Sequence, residues 1–180
     1  MDLSKFEAHE LYFDRPMPGP ASDLLSRAAE LYGDPMAETL LLRAYLMAPD
    51  NLTVLVALYR YYFYQHRLED ALTIADRAIH SSARLLGFPE DWRGLTRGHV
   101  GHGARHSIGL VRFHLLALKA GGLVSLRLGR RESARRMLTK VAEMDEADRL
   151  GAKALLKVVG LGYSTPVRRN DTTEENVICD

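Results

Sequence analysis

His99, His102 and His106 stand three and four residues apart in "HVGHGARH". On a helix that spacing would bring three imidazoles to one face, the start of a transition-metal site. Gly98, Gly101 and Gly103 interleave with them and oppose such a helix. No cysteine lies near, and Glu90 and Asp91 stand too far along the chain to complete a ligand set. The histidines therefore read as loop or capping residues, and neither a metal nor another cofactor is expected. "GHVGHG" is no phosphate loop, since no GK[ST] follows it and no strand precedes it. Serine, histidine and aspartate are present without a GxSxG elbow. The chain reads as a non-enzyme, with a metal-dependent enzyme or sensor built on the histidine-rich stretch as the alternative.

A chain of 47% apolar and 26% charged residues with a formal net charge of +1 has an ordinary globular composition. It lacks the broad positive field expected of a nucleic-acid binder, and no membrane partner is expected either. One basic cluster stands out: Arg127, Arg130, Arg131, Arg135, Arg136 and Lys140, with Glu132 among them. It reads as a solvated helix face or as a dock for an acidic protein surface. The single cysteine, Cys179, can close no intrachain disulfide. The N-terminus shows no signal-peptide pattern, and no apolar run approaches the ~18 to 20 residues of a membrane span. A cytoplasmic setting is expected.

The elements that would carry any function are helices. "AETLLLRAYLMAPD" and "EDALTIADRAIHSS" align with Ala37 and Ala71 separated by 34 residues, as are Ala44 and Ala78. Within each stretch the alanines are seven residues apart and share a face, where small side chains let a neighbouring helix approach. Each stretch follows another amphipathic one, "SDLLSRAAELYG" and "DNLTVLVALYRYYFYQ". The unit is a helical hairpin. A third copy, "LALKAGGLVSLRLGRRESARRMLTKVAEMDEAD", places Ala134 63 residues after Ala71, so about 29 extra residues interrupt the array. It departs from the pattern with Val141 at the last small position and Glu146 where a proline is expected.

Through Leu55, Leu58, Tyr62, Ala71, Ala75 and Ala78, and through Leu24, Ala37, Ala44 and Pro49, the chain resembles the tetratricopeptide repeat (TPR) family. That resemblance implies an all-α, TPR-like superhelical array: a single domain over residues 1–161, with repeats at about 18–51, 52–85 and 115–148. An N-terminal helix with Ser4 as its cap is expected before the array. A capping helix is expected at about 147–160 and a flexible tail over 162–180. Residues 84–112, rich in glycine and holding Trp92, read as an inserted loop that Trp92 docks onto the array.

The family's groove-facing positions fall on Thr53, Val56, Arg60, Phe63 and Tyr64, and in the third unit on Leu116, Lys119, Leu123, Leu126 and Arg127. Tyrosine, phenylalanine and arginine together match the composition of protein-interface hot spots. The candidate partner-binding residues are thus Val56, Arg60, Phe63, Tyr64, Lys119, Leu123 and Arg127, with Trp92 on the insertion. Further, "LYRYYFYQHRLEDALTIADRAI", "GFPEDWRGLT" and "VRFHLLALKAGGLVSLRLG" resemble small repeat proteins of nitrogen-fixing bacteria, the nitrogenase-associated factor T family. That resemblance implies a protein partner, the molybdenum-iron protein of nitrogenase, bound during assembly, protection or repair. A general TPR adaptor for another protein or peptide is the alternative.

Overall fold

Side-chain caps and prolines set where the first helices begin. The computed structural model describes residues 17–160, so the helix expected around Ser4 and the tail expected from residue 162 lie outside the described residues. Helix α1 (Gly19–Glu30) starts behind Pro18 with Pro20 in its first turn. The Asp34 carboxylate accepts from the Met36 amide at 2.7 Å and opens α2 (Pro35–Met47). Asn51 Oδ1 accepts from the Thr53 and Val54 amides and opens α3 (Leu52–Tyr64). Helix α4 (Leu68–Leu86) ends on Gly87, whose left-handed backbone (φ 64°) few other residues adopt without cost. A 3-10 turn at Trp92–Gly94 follows, then α5 (Arg97–Arg127), α6 (Arg131–Met144) and α7 (Ala152–Gly160). The described residues are all-α, with seven α-helices and no strand.

Each helix packs on the next in the chain, and α7 also returns to α5. The aligned alanines Ala37, Ala71 and Ala134 are all fully buried, as a close helix approach requires. Val141, at the position expected to be small, is buried too. Leu55, Leu58, Leu118 and Leu138 are fully buried. Gly122 lets α5 and α6 come together: a Cβ there would stand 2.9 Å from Leu138 Cγ.

The second and third hairpins turn through the same hydrogen bonds, offset by 63 residues. The Arg67 amide donates to the Tyr62 carbonyl at 2.9 Å, and the Arg130 amide to that of Ser125 at 2.8 Å. Ala71 N bonds Arg67 O, and Ala134 N bonds Arg130 O, both at 3.0 Å. His66 and Gly129 occupy the same left-handed position, at φ 58° and 76°. Glycine suits that backbone; a histidine there carries strain of roughly 1 kcal/mol. The first hairpin turns differently, through Gly33 at φ 102° and the Asp34 cap.

Polar contacts stitch the hairpins together. Glu38 on α2 receives the Tyr62 hydroxyl at 3.2 Å and the Arg67 guanidinium at 2.7 Å. Burial, reinforced by Glu38, pushes the Tyr62 phenol up to about 12. Asp50, between α2 and α3, accepts from Arg77, Ser81 and Arg84 on α4. Burial opposes its ionisation, yet the Ser81 and Arg84 hydrogen bonds outweigh it and hold the carboxyl below its ordinary value.

The expected glycine-rich loop is largely a helix. Only residues 87–96 connect α4 to α5, and α5 runs through Gly98, Gly101 and Gly103. Two local devices outweigh the poor helix propensity of glycine. Thr96 and His99 form a capping box, with the His99 amide donating to Thr96 Oγ1 and His99 Nδ1 accepting from the Thr96 amide. Gly103 is buried under Phe88, whose ring a Cβ would meet at 2.9 Å. Helix α5 breaks once, at Ser107 (φ −158°, ψ 96°), whose hydroxyl accepts from the Leu110 amide and restarts the helix. By length and composition α5 could cross a membrane, although no unbroken apolar run in the sequence reaches that length. Here Val111, Phe113, Leu115, Leu118 and Val124 are buried, and α5 packs on α4 and α6.

Candidate docking face

Helix α3 buries Val54, Leu55, Leu58, Tyr61 and Tyr62. Helical phase leaves Thr53, Val56, Arg60, Phe63 and Tyr64 together on the opposite face. There Val56, Arg60 and Phe63 are half-buried and Tyr64 is exposed. On α5, Arg112, Leu116, Lys119, Leu123 and Arg127 are three or four residues apart, outside the buried set, and form a single stripe. The two open faces meet where the Arg127 guanidinium lies 4.9 Å from the centre of the Phe63 ring.

Phe63 is the hub of this junction. It stacks on Tyr59 at 5.7 Å and meets Tyr64 edge-on at 5.7 Å. The Tyr59 hydroxyl is buried without a hydrogen-bond partner among the described residues, and burial pushes its phenol far above the ordinary range. Arg127 also reaches His66 Nδ1 at 3.4 Å, which ties the strained turn residue to the same platform. Lys119 donates to the Leu150 carbonyl and anchors the segment before α7, and burial lowers its ammonium pKa. Leu123 lies half-buried between Lys119 and Arg127 on the stripe.

Charge pairing separates this face from the basic cluster on α6. Arg130 pairs with Glu69 at 2.7 Å, Arg135 and Arg136 share Glu132, and Lys140 pairs with Glu143 at 3.0 Å. Such exposed pairs stabilise little, but they offset part of the patch's positive charge. Arg60, Arg112 and Arg127 have no carboxylate partner among the described residues.

Trp92 stands apart from the α3–α5 face. Its ring lies under the Arg93 guanidinium at 4.6 Å. It lines a shallow cleft of about 390 Å³ against Glu132, Arg136, Lys140 and Glu143 of α6. The structure thus brings together seven of the eight residues expected to bind a partner and leaves Trp92 on another surface. The histidines divide as well. His99 serves the cap of α5, while the exposed His102 and His106 rings lie 4.7 Å apart. No group of three metal-ligating side chains forms among the described residues.

Sequence reasoning missed Arg112 and Tyr59. Arg112 was hidden because its segment read as a loop; the spacing from Arg112 through Leu116 to Arg127 would have placed it on a continuous helix. Tyr59 precedes Phe63 by one helical turn. A second apolar feature also escaped the sequence: Tyr32, Met36, Leu42 and Leu46 are exposed at the α1–α2 end, Leu46 by 78%.

No protein-family model matches the chain, and no solved structure matches it. An uncharacterized 19.8 kDa protein in the nifW 5′ region of Azotobacter chroococcum mcd 1 is 50% identical to it over 159 residues, covering 88% of this chain and 89% of that protein.

Proposed function

The chain belongs to the family of that 19.8 kDa protein of the Azotobacter chroococcum nifW 5′ region, and from this membership we propose that it is a non-catalytic protein-binding factor of nitrogen fixation. Its client is the molybdenum-iron protein of nitrogenase, bound during assembly, protection or repair in the cytoplasm. The relative's position in a nif gene region supports the process. The observation that carries the binding role is the Phe63–Arg127 junction, which joins two open helix faces into one aromatic and cationic platform. Rigid rings beside an arginine without a carboxylate partner suit a protein surface bearing carboxylates.

A TPR-like array is part of the same proposal. The matched turns of the second and third hairpins are those of a structural repeat, and stacked hairpins present their first helices on one concave side. Such a factor acts through differential affinity, holding one state of its client over another. It needs no catalytic group or cofactor of its own.

Native anaerobic capture from nitrogen-fixing cells tests the proposal, with the tagged chain as bait and an Arg60→Glu, Tyr64→Ala variant as control. Recovery of nitrogenase by the intact chain alone supports client and face together. Equal recovery by both sinks the face, and recovery of another protein, or of none, sinks the client.

A further inference from the structure

We propose that the acidic segment 171–180 of this same chain docks on the α3–α5 face and competes there with the external partner. The segment "DTTEENVICD" carries Asp171, Glu174, Glu175 and Asp180 with no cation, and Val177–Ile178 form an apolar pair between the last acids. The face offers the converse: Arg60 and Arg127 beside Phe63, Tyr64 and Leu123, with Arg112 about 22 Å further along the α5 stripe. The basic cluster around α6 is the poorer match, because Glu69 of α4 with Glu132 and Glu143 of α6 already pair with Arg130, Arg135, Arg136 and Lys140.

Reach agrees with charge. The segment leading into α7 lies against the face, since a Cβ on Gly151 would stand 3.8 Å from Lys119 Nζ. From there α7 carries the chain about 14 Å to Gly160. Residues 161–170 can then span up to ~33 Å. The way from Lys119 to Arg127 along α5 is only about 12 Å, so the acids can lie along the stripe without disturbing any helix. A tether of this length holds the segment at a high effective concentration, and even weak contacts would occupy the face until a client with more surface displaced it.

The inference rests on α3–α5 being the docking face, and its test needs no client. Cys179 is the sole cysteine, so a nitroxide attached to it reports the position of the segment in the otherwise unaltered chain. In the ¹⁵N-labelled protein, amides of residues 60–64 and 119–127 should broaden selectively. The broadening should be lost in Glu174→Lys, Glu175→Lys and return when Arg60→Glu and Arg127→Glu are added. No selective broadening overturns the proposal, as does broadening centred on α6 or on Leu42 and Leu46. Broadening that appears in ¹⁵N chains mixed with nitroxide-bearing unlabelled chains marks contact between two copies, and overturns it too. Failure here leaves the capture result standing, and failure of capture leaves this contact standing.

Discussion

Gly101 and Gly122 lie on one helix, and alanine in their place should move stability in opposite directions. In a helix interior alanine is favoured over glycine by about 1 kcal/mol. At Gly101 a new methyl meets nothing within 4 Å, so the whole of that gain should appear. At Gly122 the methyl would stand 2.9 Å from Leu138 Cγ and 3.0 Å from its Cδ2. Leu138 is fully buried and its Cγ sits close to the backbone, so α5 and α6 must part; overpacking of this kind costs about 1 to 3 kcal/mol. The net expectation is a gain of about 1 kcal/mol for Gly101→Ala and a loss of up to about 2 kcal/mol for Gly122→Ala. In thermal unfolding followed by circular dichroism each kcal/mol should move Tm by about 2 to 4 °C. The reasoning fails at Gly122 if both variants melt above the parent by the same margin. It fails at Gly101 if that variant melts lower, because residues 97–106 would then not be helical.

Burial depresses the His114 imidazole to about 4, and its Nδ1 meets the Ser82 hydroxyl at 2.9 Å. The unfolded chain takes up this proton near pH 6.5 and the folded chain only near 4, so stability is full above pH 6.5 and is lost as pH falls toward 4, by about 3 kcal/mol in all. His114→Leu, in which Ser82 keeps its bond to the Ala78 carbonyl, should flatten this part of a urea-unfolding pH profile; an unchanged slope would show that His114 is not responsible. Ala71→Leu should cost about 1 to 3 kcal/mol by forcing α3 and α4 apart, and an unchanged denaturation midpoint would mean that the fully buried Ala71 has room beside it. Phe63→Ala should weaken capture and also cost about 1 to 2 kcal/mol, less than the ~3 to 5 of a core phenylalanine, since the ring is half-buried between Tyr59 and Arg127. A melting point identical to that of the parent would place the ring outside the packing altogether.

Alanine spacing made the hairpins legible, because the close approach of two helices demands small residues at fixed intervals and leaves that demand written in the chain. The open face of α3 was readable for the same reason: helical phase sets Arg60 and Phe63 opposite Leu55 and Leu58. Residues 97–112 were not legible. Glycine there is read locally as a breaker, whereas Gly103 answers to Phe88, a neighbour known only once the chain has folded. His99 misled in the same way, because its ring completes a cap with Thr96. Trp92 packs against the core from the connection, but sequence cannot say on which side of the fold a ten-residue crossing will land.

Packing that passes from each helix to its chain neighbour has a consequence for how the molecule opens. The thinnest junction joins α2 to α3, while the other end is fastened twice because α7 touches both α6 and α5. Opening should therefore proceed like a zipper from the N-terminal hairpin, whose last fastenings are the Glu38–Arg67 pair and the Asp50 cluster. The α3–α5 platform lies beyond that hairpin, so its amides should exchange with solvent more slowly than those of α1 and α2, and the proposed docking face can outlast the fraying of its own neighbour.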